Sequence, residues 1–331
     1  MLQRIRNVWT PEAFHYHHRL GRRTNVFEGW YLKIVDAEGK QPYAFIPGVF
    51  LGEDEHAFIQ VLDGKAGTSW YARFPVGDFN PAYGKFDTHI GPNRFNREGI
   101  TLDLDLTEPK PLRLKADIRF GNNVAWPVTK TSPGVMGPFA FIPTMECNHG
   151  ILSLDHTVEG IIETNGDTVD YQGGRGYIEK DWGKSFPEGY VWTQSNHFDN
   201  PGVCVTASVA KIPWLMTSFR GFLVGFLHDG ELQRFTTYNG SKVESLRVTD
   251  HSIHLTIRNR THRLEVESAK TKGAMLMAPY EKQMLERVAE TMTSTVKVKL
   301  TKGNDLIYEG TGIHGCLETQ GNLPAIVDSF Q

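Results

Sequence analysis

Apolar residues along this chain recur mostly at every second position, and the runs are short. Ile100, Leu102, Leu104 and Leu106 alternate with Thr101, Asp103 and Asp105; Leu112, Leu114, Ala116 and Ile118 repeat the alternation after a proline-containing turn. Period two marks a strand with one buried and one wet face. Phe27–Val35, Tyr43–Leu51 and His56–Leu62 are aromatic and β-branched runs, separated by the turn compositions Asp36-Ala37-Glu38-Gly39 and Gly52-Glu53-Asp54. Asp63-Gly64, Asn165-Gly166, Asn239-Gly240 and Lys302-Gly303-Asn304 punctuate further runs, at positions where tight turns favour positive φ. One segment departs from this period. From Ala278-Pro279 to about Met292, the residues Met284, Leu285, Val288 and Met292 form a helical stripe, and Glu281, Lys282, Glu286, Arg287 and Glu290 lie mostly elsewhere on the wheel. Pro279 suits a first helical turn, so the pattern predicts an α-helix over about 278–292.

A strand meander with one late helix and a further hairpin reads as all-β: two lipocalin-like antiparallel β-barrel or sandwich domains. Thr131–Pro138 and the Gly183–Gly189 turn are both candidate boundaries. The second gives roughly equal halves, 1–186 and 187–331. Val205–Leu227 is the most apolar stretch, but Lys211, Pro213 and Arg220 interrupt it, so two core strands are expected rather than a membrane span. No apolar run follows residues 1–6, which predicts no signal peptide. Cys147, Cys204 and Cys316 offer neither a disulfide framework nor zinc spacing, and a reducing cytoplasmic setting is expected. With 35 basic against 38 acidic residues the net charge is −3, which argues against a nucleic-acid partner. The 33 glycines and 17 prolines fit many turns, and 11% aromatic residues fit an apolar pocket.

There is no phosphate-binding loop: Gly173-Gly174-Arg175-Gly176 leads into a strand pattern and reads as a bulge or tight turn. There is no Gly-x-Ser-x-Gly elbow. His15 and His17 would share a face on a strand, but no third ligand stands at a telling spacing, so no metal is expected. Three segments remain. In Phe27–Lys33, Glu28 and Trp30 point one way, and Glu28 is either a buried ion pair or a pocket acid. In Gly176–Gly183, Tyr177, Glu179 and Asp181 share a face. Neighbouring buried carboxylates raise one another's pKa, which keeps a proton available; alternatively Lys180 and an arginine pair with them at a structural corner. In Tyr190–Phe198, Trp192, Gln194 and Asn196 share one face, with Thr193, Ser195 and His197 on the other, which suggests a polar-tipped cavity or a satisfied buried network. Glu146 and His149 are weaker candidates.

Phe27-Glu28-Gly29-Trp30-Tyr31, then Glu179-Lys180-Asp181-Trp182-Gly183, Phe186-Pro187 and Trp192, Gln194 and Asn196, in that order, resemble the tocopherol cyclase family over about residues 11–312. That family is related to carotenoid hydratase and lipocalin-like pericyclase enzymes. The resemblance implies closure of a chromanol ring from a prenylated hydroquinone without a cofactor. A hydrophobic prenyl quinol or isoprenoid would be the partner, and contact with a membrane surface is possible for such a substrate. One departure falls at Asp181, where the plant enzymes carry Asn. On this reading Asp181, Glu179 or Glu28 donates the proton. Trp30, Trp182 or Trp192 stabilises the cation. Gln194, Asn196, His197 and His149 hold the substrate. A non-catalytic isoprenoid binder, and a hydratase, isomerase or pericyclase acting on a polyene, are the alternatives.

Overall fold

The computed structural model describes residues 7–22, 24–214 and 216–330. Residues 1–6, on which the signal-peptide expectation rests, lie outside the described residues. By packing, the chain divides into two units. One is Met1–Phe186 with Met275–Arg287; the other is Pro187–Ala274 with Val288–Gln331.

In the first unit the alternating segments form an antiparallel sheet. Its strands run in the spatial order Thr68–Phe74, His56–Asp63, Pro42–Phe50, Phe27–Val35, Gly174–Gly183, Cys147–Thr164, Leu112–Val124, Gly99–Leu106, Asn93–Asn96, Asp87–Ile90 and Phe79–Pro81. Asp167–Asp170 adds to Cys147–Thr164 through the Asn165-Gly166 turn, whose two residues take the positive φ values of 51° and 94°. Trp70 and Ala72 from one edge share a hydrophobic cluster with Phe79 and Ile90 from the other, so the sheet curls into a nearly closed barrel. Trp30, Leu32 and Ile34, on alternate positions of one strand, point into that cluster.

The second unit has its own antiparallel meander. Glu231–Thr236, Thr217–His228, Cys204–Trp214, Gly189–Ser195, Asp305–Gly321, Gln283–Lys302, His262–Ala269, Ser252–Arg258 and Lys242–Val248 are neighbours in that order. Its core is rich in valine and leucine, among them Val191, Val205, Val224, Leu255 and Val298. The Asn239-Gly240 turn links the first and last of these strands, not a hairpin pair. No helix among the described residues is long and apolar enough to cross a membrane.

The late helix is not there. Ala274–Tyr280 and Gln283–Lys302 are paired strands. Met284, Val288 and Met292 are buried, as a helical stripe requires, but Leu285 is exposed. Their spacing of four residues is a multiple of both periods within error, and Leu285 alone distinguished helix from strand. The alternation continues through Ser294, Val296, Val298 and Leu300, which makes one long strand. The segment also departs from a division at residue 187. Met275–Arg287 packs with the first unit, where Gln60 bonds both the carbonyl and the N–H of Met277 and Met284 joins Phe27, Phe50 and Phe58.

Gly173 turns the chain at φ 79° into the Gly174–Gly183 strand, as the bulge reading requires. Three positions further on, a Cβ at Gly176 would stand 2.3 Å from Nε2 of His156 and 2.8 Å from the Lys33 carbonyl. His156 is buried beside Phe120 and bonded to Ser153 Oγ. Burial, aided by Arg97 and Arg175, drives its pKa down to about 3, so the ring is neutral. Gly176→Ala is therefore expected to cost about 1–3 kcal/mol through overpacking. The urea midpoint would fall, with the slope unchanged; a wild-type midpoint would contradict this packing.

Candidate active site

The Gly174–Gly183 strand lies between Phe27–Val35 and Cys147–Thr164, and the register decides which side chains meet. Glu28 stands opposite Trp182, Gly29 opposite Asp181, Trp30 opposite Lys180 and Tyr31 opposite Glu179. On the other side Asn148, His149, Gly150 and Ile151 face Trp182, Asp181, Lys180 and Glu179. Because successive residues point to opposite faces, Glu28, Trp30, Lys180 and Trp182 share the barrel side. Tyr177, Glu179, Asp181 and His149 share the reverse side.

On the barrel side an ion pair is fully buried. Lys180 Nζ lies 2.5 Å from Glu28 Oε1 and donates to the carbonyls of Pro11 and Ala13 at 3.1 and 2.5 Å, and to His15 Nδ1 at 2.9 Å. The His15 backbone N–H donates to both Glu28 oxygens, at 2.9 and 3.0 Å. Nε2 of His15 is bonded to the Asn7 carbonyl at 3.2 Å. That tautomer suits a neutral ring, and burial, with the Lys180 charge, lowers the His15 pKa. Burial pulls Lys180 down too, and the Glu28 carboxylate resists it. Burial alone would raise Glu28, but Lys180 and His15 outweigh it and hold the carboxyl below its ordinary range. Of the two readings of Glu28, the ion pair is the one observed, and an ionised Glu28 has no proton to give.

The indoles beside this pair are also committed. The Lys180 ammonium sits 5.0 Å from the Trp30 ring centroid and 4.5 Å from that of Trp182. Trp30 stacks on Phe86 and donates Nε1–H to the Glu12 carbonyl, while Trp182 stacks on His15 at 4.4 Å. The cation that these tryptophans stabilise is thus Lys180. His17 belongs elsewhere. It lies in a 3-10 turn, stacked on Tyr83, so His15 and His17 share no strand face.

On the reverse side Asp181 and Glu179 flank one imidazole. His149 Nδ1–H donates to Asp181 Oδ1 at 2.9 Å, and Nε2 lies 3.7 Å from Glu179 Oε2. Tyr177 Oη–H donates to the same Glu179 oxygen at 2.6 Å. Burial disfavours charge on His149, but the Asp181 and Glu179 carboxylates reverse this and raise its pKa to about 9. The ring therefore carries its proton at neutral pH. Asp181 is the more accessible carboxyl, its side chain 27% exposed against 6% for Glu179. Nearby Cys147 is no thiolate, since burial, Asp181 and Glu146 all push its pKa up. One donor atom from each of His149, Glu179 and Asp181 lies within 4.8 Å of the others, a set that could hold a metal in kind. Such an ion would compete with the proton on His149. A small cleft lined by Pro11, His15, Pro133, Asn148, His149 and Trp182 has about 40 Å³ of open space, room for about one water.

In the second unit Val191, Thr193 and Ser195 face the core side, where Thr193 bonds Ser268 and the Cys316 carbonyl and Ser195 bonds the Ile313 carbonyl. Trp192 and Gln194 face the other way, with Tyr190 bonded to Glu318 at 2.6 Å. Gln194 donates to Asn196 Oδ1 at 3.4 Å, and that oxygen also accepts from His197 Nδ1 at 3.0 Å. His197 lies past the end of the strand, so its ring joins the amide network instead of the Thr193 face. The sequence brought together Glu179, Asp181 and Tyr177 correctly. It gave His149 too little weight and paired Lys180 with the wrong acids. Strand parity was the available signal, because residue 180 must face away from 179 and 181.

The fold and the clustered acids define a lipocalin-like all-β protein with a proton-holding His–carboxylate site. The sequence model of the family described as tocopherol cyclase-like matches residues 105–321, and the chain belongs to that family. A probable chloroplastic tocopherol cyclase of Oryza sativa subsp. japonica is 23% identical, over 96% of this chain and 80% of the relative. The chloroplastic tocopherol cyclase of Zea mays is 24% identical, over 97% and 78%. Among solved structures, CghA with Sch210972 superposes with a TM-score of 0.56 at 10% identity, covering 92% of this chain and 89% of that one. A further CghA structure gives 0.54 at 12% identity, covering 93% and 90%. At such identities these likenesses speak for the fold.

Two outcomes follow from the site's electrostatics. Glu28→Gln or Lys180→Met alone strands a buried charge and should cost about 3–5 kcal/mol. The double variant should lose less than the sum of the singles in urea unfolding; strict additivity would show that the two do not interact. The His149 pKa is raised from 6.5 to about 9, so its stabilising contribution is complete below pH 6.5 and is lost as pH rises through 9. Unfolding midpoints measured from pH 6 to 10 should fall by at most about 3 kcal/mol in free energy. His149→Asn should remove that slope.

Proposed function

We propose that this protein is a cofactor-independent cyclase that closes a ring in a prenylated quinol or related isoprenoid by proton transfer. The observation that carries the reading is the His149 imidazolium held between Asp181 and Glu179, in a chain of the tocopherol cyclase-like family. The rice and maize relatives, named as tocopherol cyclases, support the choice of a prenyl quinol.

The chemistry balances without an outside reagent. Asp181, supplied with a proton by His149 Nδ1, gives it to the less substituted carbon of the prenyl double bond. The tertiary cation that forms is attacked by the phenol oxygen, a C–O bond closes, and the phenol proton returns to Asp181 and so to His149. Product and substrate are isomers, and the site ends as it began. Glu179, bonded by Tyr177, keeps the imidazolium charged between turnovers and so sets the proton supply.

Asp181→Asn should lower conversion of a prenylated quinol to its chromanol by about 10²–10⁴-fold, the usual worth of a general acid, in a variant that stays folded at the assay temperature by circular dichroism. Conversion is followed chromatographically at constant mass. Glu179→Gln should also depress it and move the alkaline limb of the rate profile to lower pH. Full activity in both variants would sink the proton-transfer assignment.

A further inference from the structure

A proton on Asp181 is of use only where a double bond can lie beside it, and the strand opposite leaves room for one. Gly29 is the cross-strand partner of Asp181, and Asp181 is the partner of His149. All three are partly exposed. In the Phe27–Val35 strand every residue is buried except Gly29. Accessible surface is thus found at three neighbours in one row across the sheet. It ends at the next partners in that row, Gly48 and Phe58, which are buried.

No feature of the local fold asks for a glycine at position 29. Its backbone lies in a regular strand, outside the left-handed region. A Cβ there would meet the Pro47 carbonyl oxygen at 3.6 Å, Phe58 Cζ at 3.7 Å and Ile46 Cγ2 at 3.8 Å, all ordinary van der Waals contacts. Every other glycine described in a strand of this sheet is different: its Cβ would come within 3.2 Å of another atom. At Gly48 the Cβ would stand 2.4 Å from the tip of the Phe58 ring. Glycine inside a strand weakens it, and it commonly marks a place where something approaches the backbone closely. Packing supplies that approach at the other positions. At Gly29 nothing among the described residues does so, and the approach is left to a ligand.

The dimensions suit a flat, methyl-bearing alkene. Residues directly opposed in antiparallel strands have Cα atoms about 4.5–5.5 Å apart. A group resting on Gly29 at van der Waals distance therefore lies within reach of the Asp181 carboxyl. On its far side Phe58 Cζ and Ile46 Cγ2 offer only carbon, which suits an isoprenoid and its cation better than water. A methyl on residue 29 would take up the same space.

We propose that the backbone of Gly29 is the floor of the substrate subsite, on which the reacting double bond of an isoprenoid lies between Asp181 and the side chains of Phe58 and Ile46. The choice of an isoprenoid rests on the cyclase reading, so the test separates binding from turnover. The probe is geranyl-trimethyl-1,4-benzoquinone, which has no phenol to close, and its Kd is measured by quenching of tryptophan fluorescence. Gly29→Ala should weaken binding about tenfold or more, as one extra carbon does in a fitted apolar pocket, and Gly29→Val should abolish it. Gly29→Ala should melt at or above the wild-type temperature. Gly77→Ala, in an exposed 3-10 turn where a Cβ also has open space, should leave the Kd unchanged. A wild-type Kd or a lowered melting temperature in Gly29→Ala would overturn the subsite, and so would wild-type protein that does not bind the quinone. Binding that Gly29→Ala weakens, in a protein that does not convert the corresponding quinol, would uphold the subsite and refute the cyclase reading alone.

Discussion

The fully buried pair of Glu28 and Lys180 is the constraint around which the first unit is arranged. An ammonium and a carboxylate removed from water lose several kcal/mol of hydration each, and their attraction offsets this only when every remaining donor and acceptor is used. Here the remaining valences recruit a distant piece of chain. The carbonyls of Pro11 and Ala13 and the N–H and ring of His15 complete the two charges, and two indoles supply π-faces. The N-terminal segment is therefore tied to the barrel by electrostatics as well as by the burial of Phe14 in the barrel core. An aliphatic pair of similar volume could fill the space, but it would not specify where residues 11–15 go.

The same strand carries a second arrangement of opposite character. On its reverse face two carboxylates share one imidazole, and the sum of charges favours a bound proton. Lys180 makes its ion pair with Glu28 on the other side of the sheet and acts on Asp181 only through space, whereas His149 is the cation that touches both carboxylates. An imidazole is a reversible counter-ion where a lysine would be a fixed one, and that difference separates a site able to lend a proton from a structural salt bridge.

Much of this was legible in the sequence because period two is a strong signal. The alternation at Ile100–Leu106 and the Asn165-Gly166 turn predicted antiparallel strands, and these are the strands observed. The faces of Glu28 with Trp30, and of Tyr177 with Glu179 and Asp181, also followed from parity. The helix at 278–292 failed because apolar residues four apart satisfy both periods. The contact of Trp30 and Trp182 with Lys180 was hidden for another reason. A tryptophan near an acid looks like a pocket when the residue between them in space, Lys180, is hidden by parity in a motif that reads continuously as Glu-Lys-Asp-Trp. His149 and His15 come from segments about 30 and 165 residues away from that motif, and only the sheet register and the path of the N-terminal segment bring them to it.

The alternation of Glu179, Lys180, Asp181 and Trp182 also bears on how the barrel assembles. Most sheets punish a one-residue slip by exposing apolar side chains. In this strand a slip would move the ammonium toward His149 and send a carboxylate between Trp30 and Glu28, placing like charges together in two dry places at once. Misregistered pairings of the central strands thus stand well above the native one in free energy even if their backbone hydrogen bonds are intact. The acids that suit the strand for chemistry also act as a proofreading device for its own alignment, and a single-residue insertion between 175 and 183 would be far more damaging than its small volume suggests.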